Sequence, residues 1–117
     1  MVDDSPSLRF MLRVFLQDAG LEVEEAGSGR QALERLARAD GDRPDVVVVD
    51  QRMPDLSGIE LARALLARGA PPRLVLFTSH LDPALEAEAR RLDLTTVLKS
   101  DLAGLVAELR DEHPMAA

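Results

Sequence analysis

The sequence contains no cysteine, which removes disulfides, thiolate metal sites and a cysteine nucleophile from consideration together. Long apolar stretches are also missing. Uninterrupted apolar runs stop at four residues, as at 46–49 and 74–77, far short of the ~20 needed to cross a bilayer as a helix. Basic charge is scarce, with 14 Lys+Arg against 21 Asp+Glu and a net charge of -7. A surplus of that sign repels nucleic acid and anionic membranes, so binding to either is not expected. Met1-Val2 runs straight into Asp3-Asp4 without the basic and apolar preamble of a secretory signal, and a cytoplasmic location is expected.

What is present reads as one globular domain over residues 1–117. Hydrophobic residues make up 46% and charged residues 30%, an ordinary balance that argues against disorder. A chain of this length buries roughly two-thirds of its unfolded surface. Strand-like and helix-like runs alternate along it. Ser5-Pro6 reads as an N-cap with proline at the first helical position, opening an amphipathic stretch through Leu12 and Leu16 that stops at Gly20. Residues 21–26 alternate like a strand, and Ser28 caps a second helix expected to end near Asp40-Gly41. The four valines at 46–49 show no polar alternation and suit a strand covered on both faces. A helix over 57–68, a strand over 73–78, a helix over 82–92, a short strand over 95–98 and a helix from Ser100-Asp101 to about Asp111 complete the pattern. This order predicts an α/β fold with a doubly wound, five-stranded parallel sheet and right-handed crossovers.

In that architecture ligands sit at the carboxyl ends of the strands. Asp3, Asp4, Asp50, Thr78 with Ser79, and Lys99 occupy those positions. Clustered carboxylates repel unless a cation joins them, and an all-oxygen set suits Mg²⁺. A lysine beside them can neutralise a carboxylate or a phosphoryl oxygen. One of the carboxylates could attack phosphorus and carry an acyl phosphate.

Together these residues resemble the receiver domain of two-component response regulators. The likeness rests on Asp3-Asp4 followed by Ser5-Pro6, on Asp50 within Val-Val-Val-Asp50-Gln51-Arg52-Met53-Pro54-Asp55-Leu56-Ser57-Gly58, on Thr78-Ser79 and on Lys99. The resemblance implies a flavodoxin-like (βα)5 fold that accepts a phosphoryl group and is not a free-standing enzyme. By it, Asp50 is the phosphoacceptor, and Asp3, Asp4, Asp50 and the Arg52 backbone carbonyl hold Mg²⁺. Thr78 is the hydroxyl switch and Lys99 binds the phosphate. Gly58 would let the chain turn into the third helix. The implied partners are a sensor histidine kinase or phosphotransfer protein, and a second copy through the face of helix four, strand five and helix five. Arg52 and His80 would line the approach of water to the phosphoryl group.

The chain also departs from the family. Only Met1-Val2 precedes the acidic pair, so the first strand is short and would leave its neighbours' backbone groups partly unpaired. Thr96 stands where an aromatic is usual, and Ser100 follows Lys99 where proline is common. The Lys-Ser-Asp ending resembles receivers joined to helix-turn-helix output domains. Gly27-Ser28-Gly29 with Ala32 fits a dinucleotide fingerprint, but it follows the second strand, where a plain turn and N-cap is the simpler reading. An aspartyl phosphatase would place a second Asp two residues after Asp50, and Arg52 stands there. The remaining alternative is an interaction module of receiver fold that works without phosphorylation.

Overall fold

A computed structural model of the chain describes residues 1–38, 44–69 and 72–110. The valine run forms strand β1 (Val46–Val49), followed by β2 (Arg73–Thr78) and β3 (Thr95–Leu98), all parallel in the order β1-β2-β3. Five helices separate and precede them: α1 (Pro6–Asp18), α2 (Gly29–Arg38), α3 (Gly58–Ala67), α4 (Pro83–Arg91) and α5 (Leu102–Arg110). The expected ends of the second and fifth helices, at 40–41 and 111, lie outside the described residues.

Among the described residues the sheet has three strands, joined by two ladders, where five strands were expected. The other two strand positions survive as single bridges, Val2 pairing in parallel with both Ala26 and Val49. Val2 N–H donates to Val48 C=O at 2.7 Å, and its carbonyl accepts from Asp50 N–H at 2.9 Å. Asp3 N–H reaches Ala26 C=O at 3.1 Å. Lateral order is therefore Ala26, Val2, β1, β2, β3, the doubly wound order 2-1-3-4-5 with its first two strands cut short. The cause is length. Two residues ahead of the acidic pair cannot build a ladder, so 21–26 has nothing long enough to pair with despite its alternation.

Two cores follow from the period-2 alternation of the strands. Val47, Val49, Leu74 and Leu76 face Ala32, Ile59, Leu61, Ala62, Leu65 and Ala89 from α2, α3 and α4. Val48, Val75, Phe77 and Val97 face Leu12, Leu16, Leu105 and Leu109 from α1 and α5. Helices thus cover both faces, as strands without polar positions require. Helix starts match their caps: the hydroxyls of Ser5 and Ser57 and the carboxylate of Asp82 accept from N–H groups three residues on, and Ser57 forms a reciprocal capping box with Glu60. Gly69, just past α3, has φ +77, a conformation that glycine adopts without steric cost.

Candidate functional site

All strands run the same way, so their carboxyl ends share one edge of the sheet. Asp3 follows the Val2 bridge, Asp50 follows β1, Thr78 ends β2 and Lys99 follows β3. Carboxylate oxygens of Asp3, Asp4 and Asp50 all lie within 4.8 Å of one another. Asp3 and Asp50 are only 3% and 6% exposed, whereas Asp4 is open to solvent. The Lys99 ammonium bridges the two buried carboxylates, 3.0 Å from Asp3 Oδ2 and 3.3 Å from Asp50 Oδ1. Lys99 N–H donates to Thr78 C=O at 2.8 Å, registering the end of β3 against that of β2.

The electrostatics follow from this crowding. Burial, and then the neighbouring Asp3 charge, raise the Asp50 carboxyl above its ordinary range while Lys99 opposes them. Burial works to lower the Lys99 ammonium, yet the hydrogen bond to Asp3 and the charges of Asp50 and Asp3 outweigh it, so its net shift is upward. Three carboxylates against one ammonium leave excess negative charge between two buried side chains. That all-oxygen, net-negative donor set fits a hard divalent cation.

Thr78 is buried, and its hydroxyl is turned to its own loop, donating to His80 C=O at 3.4 Å and accepting from His80 N–H at 3.5 Å. Both contacts are long. A cavity of about 580 Å³ opens beside the cluster, with Asp4, Arg52, Thr78 and His80 in its wall. The side chains expected to border an approach to Asp50 do share that space, and Arg52 and His80 are both exposed.

Several supporting contacts had no sequence signal. The Arg9 guanidinium donates to Asp3 C=O at 2.7 Å and pairs with Glu25 at 3.2 Å. Ser5 N–H donates to Asp3 Oδ1 at 2.9 Å, so the helix cap and the buried acid are anchored together. Asp55 accepts from Gly29 N–H at 3.3 Å and Arg30 N–H at 2.8 Å, tying the loop after Asp50 to the start of α2. Those bonds, the Arg30 one foremost, hold its carboxyl below the usual range. In the glycine-rich turn, Ser28 Oγ accepts from Gln31 N–H at 3.0 Å, the N-cap reading of that segment. Gly58 serves close approach rather than an unusual φ. A Cβ there would stand 2.7 Å from Asp50 O and 2.7 Å from Leu76 Cδ1.

The face of α4, β3 and α5 spends most of its leucines on the core. Leu105 and Leu109 are core, and Leu85, Leu92 and Leu102 pack against core residues, leaving Leu98, among the described residues, as the large exposed apolar side chain there, at 42%. Phe10, Met11, Val14 and Phe15 are exposed instead on α1, paired at the i,i+4 spacing that places them on one stripe.

The family model described as the response regulator receiver domain matches residues 1–109. The chain is similar to the transcriptional regulatory protein FixJ of Azorhizobium caulinodans, 35% identical over 112 residues, or 94% of this chain and 52% of FixJ. It is also similar to the transcriptional activator protein ExaE of Pseudomonas putida, 36% identical over 91 residues, 76% of this chain and 41% of ExaE. It therefore spans about half or less of these relatives. Among solved structures, the chemotaxis protein CheY4 of Vibrio cholerae superposes with a TM-score of 0.80 at 33% identity, covering 93% of this chain and 92% of that one. The response regulator protein TrrA of Thermotoga maritima, solved in complex with Mg²⁺-BeF, superposes with a TM-score of 0.80 at 25% identity, covering 94% and 93%. Among the described residues no helix is long and apolar enough to cross a membrane.

Proposed function

This chain belongs to the family of response regulator receiver domains, and we propose that it accepts a phosphoryl group from the phosphohistidine of a sensor kinase or phosphotransfer protein onto Asp50. The observation that carries this reading is the Lys99 ammonium held between two buried carboxylates beside an open cavity. An Asp50 oxygen attacks phosphorus in line, the phosphorus–nitrogen bond breaks, and neutral imidazole leaves with a proton from solvent, giving an acyl phosphate. Lys99 turns from the carboxylates to an equatorial phosphoryl oxygen, where its charge is needed as the transferring group becomes accessible to attack. Asp3, Asp4, Asp50 and the Arg52 carbonyl would hold Mg²⁺, which supplies charge neutralisation when bound. TrrA, solved with Mg²⁺-BeF, supports that assignment.

Thr78 acts next. Its hydroxyl leaves two long bonds to His80 for a phosphoryl oxygen and draws the loop before α4 with it, a population shift rather than a new fold. The signal leaves through α4, β3 and α5, by dimerisation or partner binding, in the cytoplasm and as one receiver domain over 1–117. The exposed stripe on α1 lies on the helix that Ser5 caps directly after the acidic pair, and the donor protein docks there.

Intact-mass analysis after treatment with acetyl phosphate and Mg²⁺ tests the assignment. One added phosphoryl group is expected, lost in Asp50→Asn and retained in Thr78→Ala. A wild type that stays unmodified while another receiver is labelled would transfer the reading to a phosphorylation-independent interaction module.

A further inference from the structure

The loop that follows Asp50, residues 51–57, passes between the starts of two helices. The first N–H groups of a helix have no acceptor within it, and α2 and α3 solve this in the same way. Each satisfies its third N–H with its own cap, Gln31 N–H donating to Ser28 Oγ at 3.0 Å and Glu60 N–H to Ser57 Oγ at 3.1 Å. Each hands its first two N–H groups to the loop. In α2, Gly29 and Arg30 donate to the two carboxylate oxygens of Asp55, at 3.3 and 2.8 Å. In α3, Gly58 N–H donates to Gln51 C=O at 3.0 Å and Ile59 N–H to Gln51 Oε1 at 3.0 Å.

Between these two anchors little else holds the chain. Among the described residues no backbone–backbone hydrogen bond reaches residues 52–56, and Pro54 has no N–H to offer. The Arg52 carbonyl lies in this stretch, with Gln51 pinned on one side of it and Asp55 on the other. A segment fixed at both ends, with one φ set by a proline ring, keeps far fewer conformations than a segment fixed at one. Asp55 is exposed, so its bonds to the start of α2 contribute little to stability. They matter more for a carbonyl that must meet Mg²⁺, which demands near-ideal octahedral geometry from its ligands.

We propose that Gln51 and Asp55 are the positioning residues of the metal site: they fix the Arg52 carbonyl by holding the loop at both ends, and through Asp55 they couple that site to the start of α2. This rests on the reading of the Arg52 carbonyl as a Mg²⁺ ligand. The coupling is reciprocal, so whatever the Asp55 clamp adds to Mg²⁺ affinity, bound Mg²⁺ adds to the clamp on Gly29 and Arg30.

Mg²⁺ titrations of ¹⁵N-labelled protein, read at the Asp50, Arg52 and Met53 amides, test this alongside Tm measured in chelated buffer. Asp55→Ala should weaken Mg²⁺ binding about tenfold, the scale seen when a residue that orients a metal ligand is lost, while moving Tm little. Asp55→Asn loses the same charge but keeps an acceptor, and should recover part of the affinity. Gln51→Met, close in length and equally neutral, should weaken binding with no change of charge. Ser28→Ala removes the α2 cap that does not touch the loop; its Tm should fall and its Mg²⁺ affinity should hold. In wild type, Mg²⁺ should also shift the Gly29 and Arg30 amides, a response lost in Asp55→Ala. Wild-type affinity in Asp55→Ala, an Asp55→Asn protein no better than Asp55→Ala, or equal weakening in Ser28→Ala would overturn the positioning role while leaving Asp50 as the phosphoacceptor. A wild type that takes no Mg²⁺ would overturn it together with the reading on which it rests.

Discussion

Gly58→Ala sets two effects of known size against each other. Alanine is favoured over glycine by up to about 1 kcal/mol inside a helix, through propensity and a less mobile unfolded chain. Gly58 is the first residue of α3, after the Ser57 cap, so it collects only part of that gain. Against it stands the new Cβ, 2.7 Å from Asp50 O, 2.7 Å from Leu76 Cδ1 and 3.1 Å from Gln51 Cα. Two of these neighbours belong to the backbone of the acceptor loop and the third to a fully buried leucine, so none yields cheaply. Overpacking of this kind costs about 1–3 kcal/mol, and a net loss of about 1–2 kcal/mol remains. For a domain of this size that lowers Tm by roughly 4–10 °C. The same displacement shifts the Asp50 main chain and slows labelling by acetyl phosphate. Gly29→Ala is the control for labelling: its Cβ would stand 2.9 Å from Leu56 Cβ, an atom that no rotamer change moves, so stability should fall there too, but the contact does not touch the Asp50 main chain and labelling should be close to normal. Calorimetry and a labelling time course decide the matter. A Gly58→Ala protein as stable as wild type with unchanged labelling would show that the loop yields freely and that this contact does not position the acceptor.

Three further outcomes are expected. Because the Asp50 carboxyl is raised, its contribution to stability is present below the unfolded carboxylate range and lost as pH rises through its folded value; Asp50→Asn should therefore raise Tm in chelated buffer at neutral pH, with a gain that shrinks toward pH ~4 and on adding Mg²⁺, and a pH-independent difference would refute this. The phosphorylated protein should lose its phosphate slowly if the Arg52 side chain in the cavity wall folds over the phosphoryl group and keeps water from it; Arg52→Ala should hydrolyse faster in a phosphate-release time course and His80→Ala should change less, while an unchanged Arg52→Ala rate would remove the shielding role. Val14→Glu on the exposed stripe of α1 should slow transfer from a phosphohistidine donor at least tenfold and leave acetyl phosphate labelling intact; equal loss with both donors would place the defect in the site and not in docking.

Much of this was legible because it is local. The valine run at 46–49 and the apolar run at 73–78 declared strands covered on both faces, and the acids, threonine and lysine at the strand ends declared one edge. What was not legible depends on partners distant in sequence. Residues 21–26 alternate like a strand, yet among the described residues their pairing along the sheet is the Ala26 bridge to Val2 and the Glu24 bond to Met1. Gly58 invites a conformational explanation, while its reason is the Asp50 carbonyl eight residues back. Arg9 carries no motif, and its role requires knowing that α1 folds back over Asp3 and Glu25. The leucines of α4 and α5 have the same spacing whether they face core or solvent.

The acidic pair illustrates how little secondary structure a buried site needs. Five backbone hydrogen bonds join residues 1–3 to Glu24, Ala26, Val48 and Asp50, worth about 1 kcal/mol each in net terms. Ordering three residues costs about 1–2 kcal/mol apiece, which offsets most of that sum. The balance is tipped by side chains: Val2 is 3% exposed within the core, adding roughly 2 kcal/mol, and Asp3 is held by Ser5, Arg9 and Lys99 through its carboxylate and carbonyl. Asp3 thus keeps its place by point contacts from α1 and from the end of β3 rather than by a ladder. The lysine that would bind the transferred phosphoryl group is one of those contacts, so its departure toward phosphate loosens the hold on Asp3 at the moment a divalent cation would take it over.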